Sequence, residues 1–206
     1  MKIKEIIKET HEDTIENLRN ECSQTIDLMK KSNEVIYHGS NFEYLDVEKI
    51  TPKSGRTPKD IPQALHYLIN EYLYEKGIKT TRSNSIFGLK NYEYGFGYGN
   101  HNFVLFPVNN ANVLWFEGSD DLYISFYNYF KYHVKGVDLE NVTQEYINEN
   151  KTKFKEMLDT LKPNTSLKQY FYNNDPDVEI LISSPLYVVI NEVFETDDFK
   201  YKIGLE

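Results

Sequence analysis

Two short apolar runs, far apart in the chain, each carry polar groups at one end. Val35-Ile36-Tyr37-His38-Gly39-Ser40 is a strand-like run that stops in a polar turn, and Glu179 opens the run Glu179-Ile180-Leu181-Ile182. Gly39 has no Cβ, so a planar amide can lie against its backbone, flanked by the imidazole of His38 and the hydroxyl of Ser40. A carboxylate brought to the same place would stabilise positive charge developing on a bound substrate. The plainer alternative for the same residues is a strand-to-turn junction, with His38 merely exposed and Glu179 solvated at a strand start.

Other chemistries have less footing. Gly95, Gly97 and Gly99 fall in Asn91-Tyr-Glu-Tyr-Gly-Phe-Gly-Tyr-Gly-Asn100, but no Gly-Lys-Ser follows and no strand-loop-helix context surrounds them, which argues against a phosphate-cradling loop. His101 and His133 lack a carboxylate or His at metal-ligand spacing, so no metal site is expected. The chain has no Gly-x-Ser-x-Gly elbow and no Cys paired with a plausible His, so a hydrolytic nucleophile is not apparent either.

The elements that must position these groups are bounded by composition. At 206 residues and 40% hydrophobic the chain reads as one domain with a real core. A single Cys, Cys22, excludes a disulfide framework and a Cys-rich zinc site, which fits a reducing, cytoplasmic setting. No apolar run is long enough to span a membrane, and the first ten residues lack the uninterrupted apolar core of a secretion signal. The net charge of −9 argues against broad electrostatic capture of nucleic acid, so a macromolecular partner is more readily a protein. The 17 Tyr and 12 Phe, with abundant Lys, Asn and Ile, fit an AT-rich coding genome and are not taken as mechanism.

Ile3, Ile7, His11, Ile15, Leu18, Cys22, Ile26 and Met29 recur at steps of three and four, which predicts one long amphipathic helix over residues 1–33, packed on the core. Residues 34–206 then form the rest of the domain. Thr51 to Pro62, with Pro52, Gly55, Pro58 and Pro62, is a loop. Ala64, Leu65, Leu68, Ile69, Tyr72 and Leu73 stripe a second helix that Gly77 ends. Strands are expected at Ser85–Phe87, Phe103–Val108 and Val113–Phe116, with a paired set at Ile180–Ile182 and Tyr187–Ile190 around Pro185. The aromatic-rich segment Asp121–Tyr132 is compatible with a helix, and a further helix is expected over Thr143–Leu161. Helices and strands do not alternate regularly and no repeat is visible, so the class is α+β.

Tyr37-His38-Gly39-Ser40, the Tyr98-Gly99 pair, and Glu179 heading an apolar strand resemble, in order and spacing, the three signatures of the ADP-ribosyltransferase superfamily. The likeness is to its His-Tyr-Glu branch, shared by diphtheria-type toxins and poly(ADP-ribose) polymerases, and it covers residues 35 to 192. Arg56-Thr-Pro-Lys-Asp60, Arg82-Ser-Asn-Ser-Ile-Phe87, Phe106-Pro107, and Trp115 followed by Asp121-Leu-Tyr also resemble uncharacterised bacteriophage proteins associated with this fold. Arg82-Ser-Asn-Ser85 echoes the Ser-Thr-Ser signature of the Arg-Ser-Glu branch, but that branch expects Arg where His38 stands.

The resemblance implies a core of two packed, mostly antiparallel sheets with flanking helices, and NAD as substrate. In such a site Glu179 would face the ribose as its bond to nicotinamide breaks and positive charge develops. His38 would bind the adenosine ribose, Gly39 and Ser40 the nicotinamide amide, and Tyr98 would stack on the pyridinium, with Tyr92 and Tyr94 as other candidates for that ring. Asp177, two residues before Glu179, would orient the acceptor. Arg56 and Arg82 would pair with the pyrophosphate, unless Arg82 braces the core instead. The activity implied is mono-ADP-ribosyl transfer to a host protein. The alternatives are NAD glycohydrolysis with water as acceptor, and a catalytically silent phage protein that keeps the fold for binding.

Overall fold

The computed structural model describes residues 3–57, 61–95, 99–119, 121–133 and 142–205. The amphipathic N-terminal stretch forms two helices, α1 (Ile3–Glu21) and α2 (Ser23–Ser32), where its spacing predicts one. The interruption at Cys22 has a local cause in the turn at Val108–Asn110. The Asn109 N–H donates to the Glu21 carbonyl at 2.6 Å, and the Asn109 side-chain oxygen accepts the Gln24 N–H at 2.9 Å. The Thr25 hydroxyl donates to the Pro107 carbonyl at 2.7 Å and the Cys22 thiol to the Phe106 carbonyl at 3.2 Å. Partners that take helix backbone groups compete with the helix's own ladder. Burial pushes the Cys22 thiol up to about 12, so it is a packing residue and not a reactive one.

Among the described residues, two antiparallel four-stranded sheets give an α+β architecture. The first contains β1 (Tyr37–Ser40), β2 (Val47–Ile50), β4 (His101–Pro107) and β8 (Leu186–Ile190), in the order β1-β4-β8-β2. The second contains β3 (Ile86–Gly88), β5 (Val113–Phe116), β6 (Pro163–Asn164) and β7 (Ile180–Ile182), in the order β3-β7-β5-β6.

The two runs around Pro185 therefore do not pair with each other, contrary to the sequence expectation. Their connection is tied to the β4–β5 link instead. The Ser183 N–H donates to the Asn112 carbonyl at 3.0 Å, the Ser184 hydroxyl oxygen accepts the Asn112 N–H at 2.7 Å, and the Val108 N–H donates to the Pro185 carbonyl at 3.4 Å. Both links step from one sheet to the other side by side. Pro185 itself has no N–H to offer a hairpin ladder.

Strand periodicity separates two cores. Val113, Trp115, Ile180 and Ile182 face one that also holds Leu18, Cys22 and Met29 from the N-terminal helices and Phe106, Phe194 and Phe199. Leu114, Phe116 and Leu181 face the other, built from α3 (Gln63–Glu75), α6 (Gln144–Glu149) and α7 (Lys151–Thr160). With both faces covered, β5 and β7 read as unbroken apolar runs. Gly77, at φ 75°, closes α3 so that the Ile78 N–H reaches the Leu73 carbonyl at 2.9 Å. The single helix expected over 143–161 is divided at Asn150, whose side-chain amide donates to the Tyr146 carbonyl at 3.1 Å. Short helices α4 (Tyr92–Gly95), α8 (Leu167–Phe171), α9 (Asn191–Phe194) and α10 (Asp197–Ile203), with the edge strands β2 and β6, fall where periodicity offered no signal. The aromatic-rich segment forms α5 (Leu122–His133). No helix among the described residues is long and apolar enough to cross a membrane.

The sheets touch at one edge. Tyr37 and Leu89 exchange both backbone hydrogen bonds, at 2.7 and 3.0 Å, and this bridge stands alone.

Candidate functional site: the notch between the sheets

Past the Tyr37–Leu89 bridge the β1 and β3 backbones no longer pair, and a notch opens between them. Tyr37, His38 and Gly39 line one wall, Phe87 and Leu89 the other, and Glu179 closes the end. The β3–β7 register explains how Glu179 arrives there. Gly88 is the partner of Ile180, so Glu179 is the first residue beyond that ladder.

Where β3 leaves β1, the Phe87 carbonyl is taken by a side chain. The His38 Nδ1–H donates to it at 2.8 Å, because a carbonyl can only accept. That bond fixes the tautomer and leaves Nε2 as an acceptor. Burial, with a smaller contribution from the nearby Arg56 charge and against the pull of the Phe87 carbonyl, lowers the His38 pKa to about 4. The ring is thus a neutral positioning group at neutral pH. Gly39 is buried opposite Asn102 on β4. Ser40 is also buried, and its hydroxyl oxygen accepts the Phe42 N–H at 3.0 Å, so it shapes the turn after β1. Gly99 lies against Ser40 so closely that a Cβ there would fall onto the Ser40 backbone.

Glu179 is held by a buried cation. The Arg82 Nη2 donates to both Glu179 oxygens, at 3.2 and 3.0 Å, and stands 3.7 Å from Asp121 Oδ2. Arg82 is 1% exposed, and its guanidinium is engaged by these two carboxylates, as the bracing alternative expects. Arg56 is the exposed guanidinium of the pair. Its backbone N–H donates to the Ser83 carbonyl and its Nη1 to the Ser85 carbonyl, both at 2.9 Å, and its Cζ lies 4.8 Å from the Phe87 ring centre. Arg82 Cζ lies 5.4 Å from the same ring. Phe87 is thereby clamped between two cations in the wall of the notch.

Asp177 is on the rim, where its Oδ1 accepts the Asn91 side-chain amide at 2.7 Å. Beside it the Tyr92 ring, 39% exposed, meets Tyr37 edge-on with centroids 5.2 Å apart. Tyr98 lies outside the described residues, as does the side chain of Tyr94, so Tyr92 is the described tyrosine of that segment at the rim. Phe87, Leu89, Asn91 and Asp121 were given no role in a site from the sequence. Only the placement of Phe87 at the end of a predicted strand could have flagged one of them.

The notch is narrow, with about 20 Å³ open to a water-sized sphere, the space of a single water. On the far side of Glu179 a second small cavity is lined by Leu114, Phe116, Ser119, Leu122 and Leu181. A larger groove of about 490 Å³ between α2 and α8 contains none of the residues singled out above. Among the described residues no group of three or more His, Cys, Asp or Glu is arranged to hold a metal ion. The site can therefore offer a neutral acceptor nitrogen, an anchored carboxylate, an exposed guanidinium and an aromatic wall around one opening. No protein-family model matches the chain, and no curated protein or solved structure is significantly similar to it.

Proposed function

We propose that the protein cleaves the nicotinamide–ribose bond of NAD and transfers ADP-ribose to a macromolecular acceptor, a protein more readily than a nucleic acid. One observation carries this reading: His38, Gly39 and Glu179, chosen from distant parts of the sequence for their chemistry, line the same notch. The family likeness drawn from their order and spacing supports it, as does the pair of antiparallel sheets that meet there.

In this reading the dinucleotide lies across the opening between the sheets. Gly39 receives the nicotinamide amide on its backbone, and His38 Nε2 accepts a ribose hydroxyl while its other nitrogen stays on Phe87. Glu179 stabilises the oxocarbenium-like ribose as the bond to nicotinamide breaks, and the acceptor's nucleophile takes the vacated carbon. Arg56, adjacent to the His38 wall, is the guanidinium within reach of a pyrophosphate. A ligand of this size needs a pocket of roughly 300 Å³ or more, so the rim must open to admit it.

Nicotinamide release from NAD by wild type and Glu179→Gln, with and without host-cell lysate and with labelled NAD, tests the reading. Release should fall roughly 10²–10³-fold in the variant while NAD affinity changes little. Label on a lysate band identifies a transferase, and Glu179-dependent release without label identifies a glycohydrolase. A folded wild type that neither binds nor consumes NAD overturns both and leaves a binding protein.

A further inference from the structure

Arg82 is the largest of the fully buried side chains, and a guanidinium taken out of water needs its charge answered by neighbours. Among the described residues these include the Glu179 carboxylate on the notch side, the Phe87 ring, and Asp121 on the side of α5. Asp121 is not placed there by Arg82. Its Oδ1 accepts the Ile124 N–H and its carbonyl the Ser125 N–H, both at 2.9 Å, so the first turn of α5 sets its position and leaves Oδ2 toward the guanidinium.

We infer that Arg82 is a positioning residue that holds the Glu179 carboxylate ionised and aimed along the notch, and that Asp121 tempers this hold and couples it to α5. The inference rests on the reading of Glu179 as the group that meets the ribose. One guanidinium nitrogen bridging both oxygens fixes the direction of the carboxylate as well as its charge. Asp121 draws part of the same positive charge away, so the two carboxylates share Arg82 unequally, at 3.0 and 3.7 Å. Among the described residues, the other ionisable groups around Glu179 are His38 from β1 and Tyr170 from α8, with Asp177 two residues away on its own segment and His66 of α3 near Arg82. Among these groups Arg82 is the cation.

The test is a carbon-13 titration of glutamate side-chain carboxyls in the full chain, with Glu179 identified by the resonance lost in Glu179→Gln. Arg82→Gln should raise the Glu179 midpoint by about one pH unit or more, and Asp121→Asn, which keeps the cap on α5, should lower it by less. Arg82→Lys keeps a charge but carries it on a flexible stem in place of a rigid plane that aims one nitrogen between both carboxylate oxygens. It should leave the midpoint near that of wild type and lower nicotinamide release about tenfold or more. Opposed shifts are the signature, since general loosening of the fold moves both variants the same way. Midpoints that move together, or not at all, overturn the inference. If Arg82→Gln does not fold, Asp121→Asn decides alone, and a midpoint unchanged or raised overturns it. The titration needs no turnover. Opposed shifts without nicotinamide release keep the positioning and remove the NAD reading, whereas Glu179-dependent release with unmoved midpoints does the reverse.

Discussion

The two walls of the notch hold their key residues by different physics. His38 is a neutral ring kept in place by one bond to the Phe87 carbonyl, across the line where the sheets part. Glu179 is a charge brought to the edge of a core, and many groups hold it. Arg82 answers the carboxylate, the Lys90 ammonium donates to the Asn173 carbonyl, and the backbone N–H groups of Lys90 and Asn91 donate to the Pro176 carbonyl at 3.1 and 3.0 Å. The Tyr170 hydroxyl adds a bond to the Val178 carbonyl at 3.0 Å. A neutral group needs only geometry, whereas a desolvated charge needs compensation drawn from several elements.

The sharpest way to break the contrast is at Arg82. Removing its charge in Arg82→Gln takes from Glu179 and Asp121 the cation they share, and should cost about 3–5 kcal/mol of stability by urea unfolding. The double variant Arg82→Gln/Glu179→Gln should lose less than the two singles combined, since the pair is gone from both sides. Strict additivity would mean the ion pair does not hold this wall. On the opposite wall the comparable change is steric. Gly99→Ala drives a Cβ into the Ser40 backbone, which has no side-chain freedom with which to yield. About 1–3 kcal/mol should be lost, with the β1–β4 amides losing hydrogen-exchange protection before those of β5 and β7.

A pH titration of stability separates the walls more finely. The His38 pKa is lowered from its ordinary 6.5 to about 4 by burial, so the unfolded chain binds the proton first. The contribution is fully present above pH 6.5 and is lost as pH falls toward 4, at up to about 1.4 kcal/mol per pH unit. His66, lowered by burial and by Arg82, acts in the same direction. His38→Gln should therefore flatten, without abolishing, the fall of stability between about pH 6.5 and 4. An unchanged slope would show that the ring is protonated in the folded chain and does not rest on Phe87 as a neutral donor.

The same contrast decided what could be read from the sequence. His38, Gly39 and Glu179, which line one notch, could be picked out because each is a local irregularity, a polar residue or a Gly at the end of an apolar strand. Arg82 was named only through the family likeness, with a pyrophosphate and the core both open as its partner, because its contacts with Glu179 and Asp121 are made across long stretches of sequence. Asp121 and Phe87 are likewise defined by neighbours distant in sequence. The fold follows the same division. The helix over 63–75 and the strands at 103–107 and 113–116 came from periodicity, which is local. The interruptions at Cys22 and Asn150 came from side chains and loops that compete for backbone groups. The runs around Pro185 were misread as partners because their separation suits a hairpin, whereas bonds to Asn112 and Val108 send them to different sheets.

The smallest change addresses the rim, where the proposed function puts the acceptor. Asn91 holds Asp177 through a bond of 2.7 Å while its own side-chain oxygen accepts the Glu93 N–H at 3.0 Å. Asn91→Ala frees a half-buried carboxylate beside Glu179, and the cost in stability should be about 1 kcal/mol, the ordinary value of such a bond. The informative readout is the split between two rates. Asp177 does not line the notch, so nicotinamide release should stay within about twofold of wild type while labelling of the acceptor falls severalfold, because a carboxylate that no longer points one way cannot orient a nucleophile. Asp177→Asn, which keeps the shape and removes the charge, should reproduce the loss of labelling only for a cationic acceptor such as an Arg side chain. Equal loss of release and labelling in Asn91→Ala would make Asn91 and Asp177 part of the scaffold that delivers Glu179, and the rim would then have no separate hold on the acceptor.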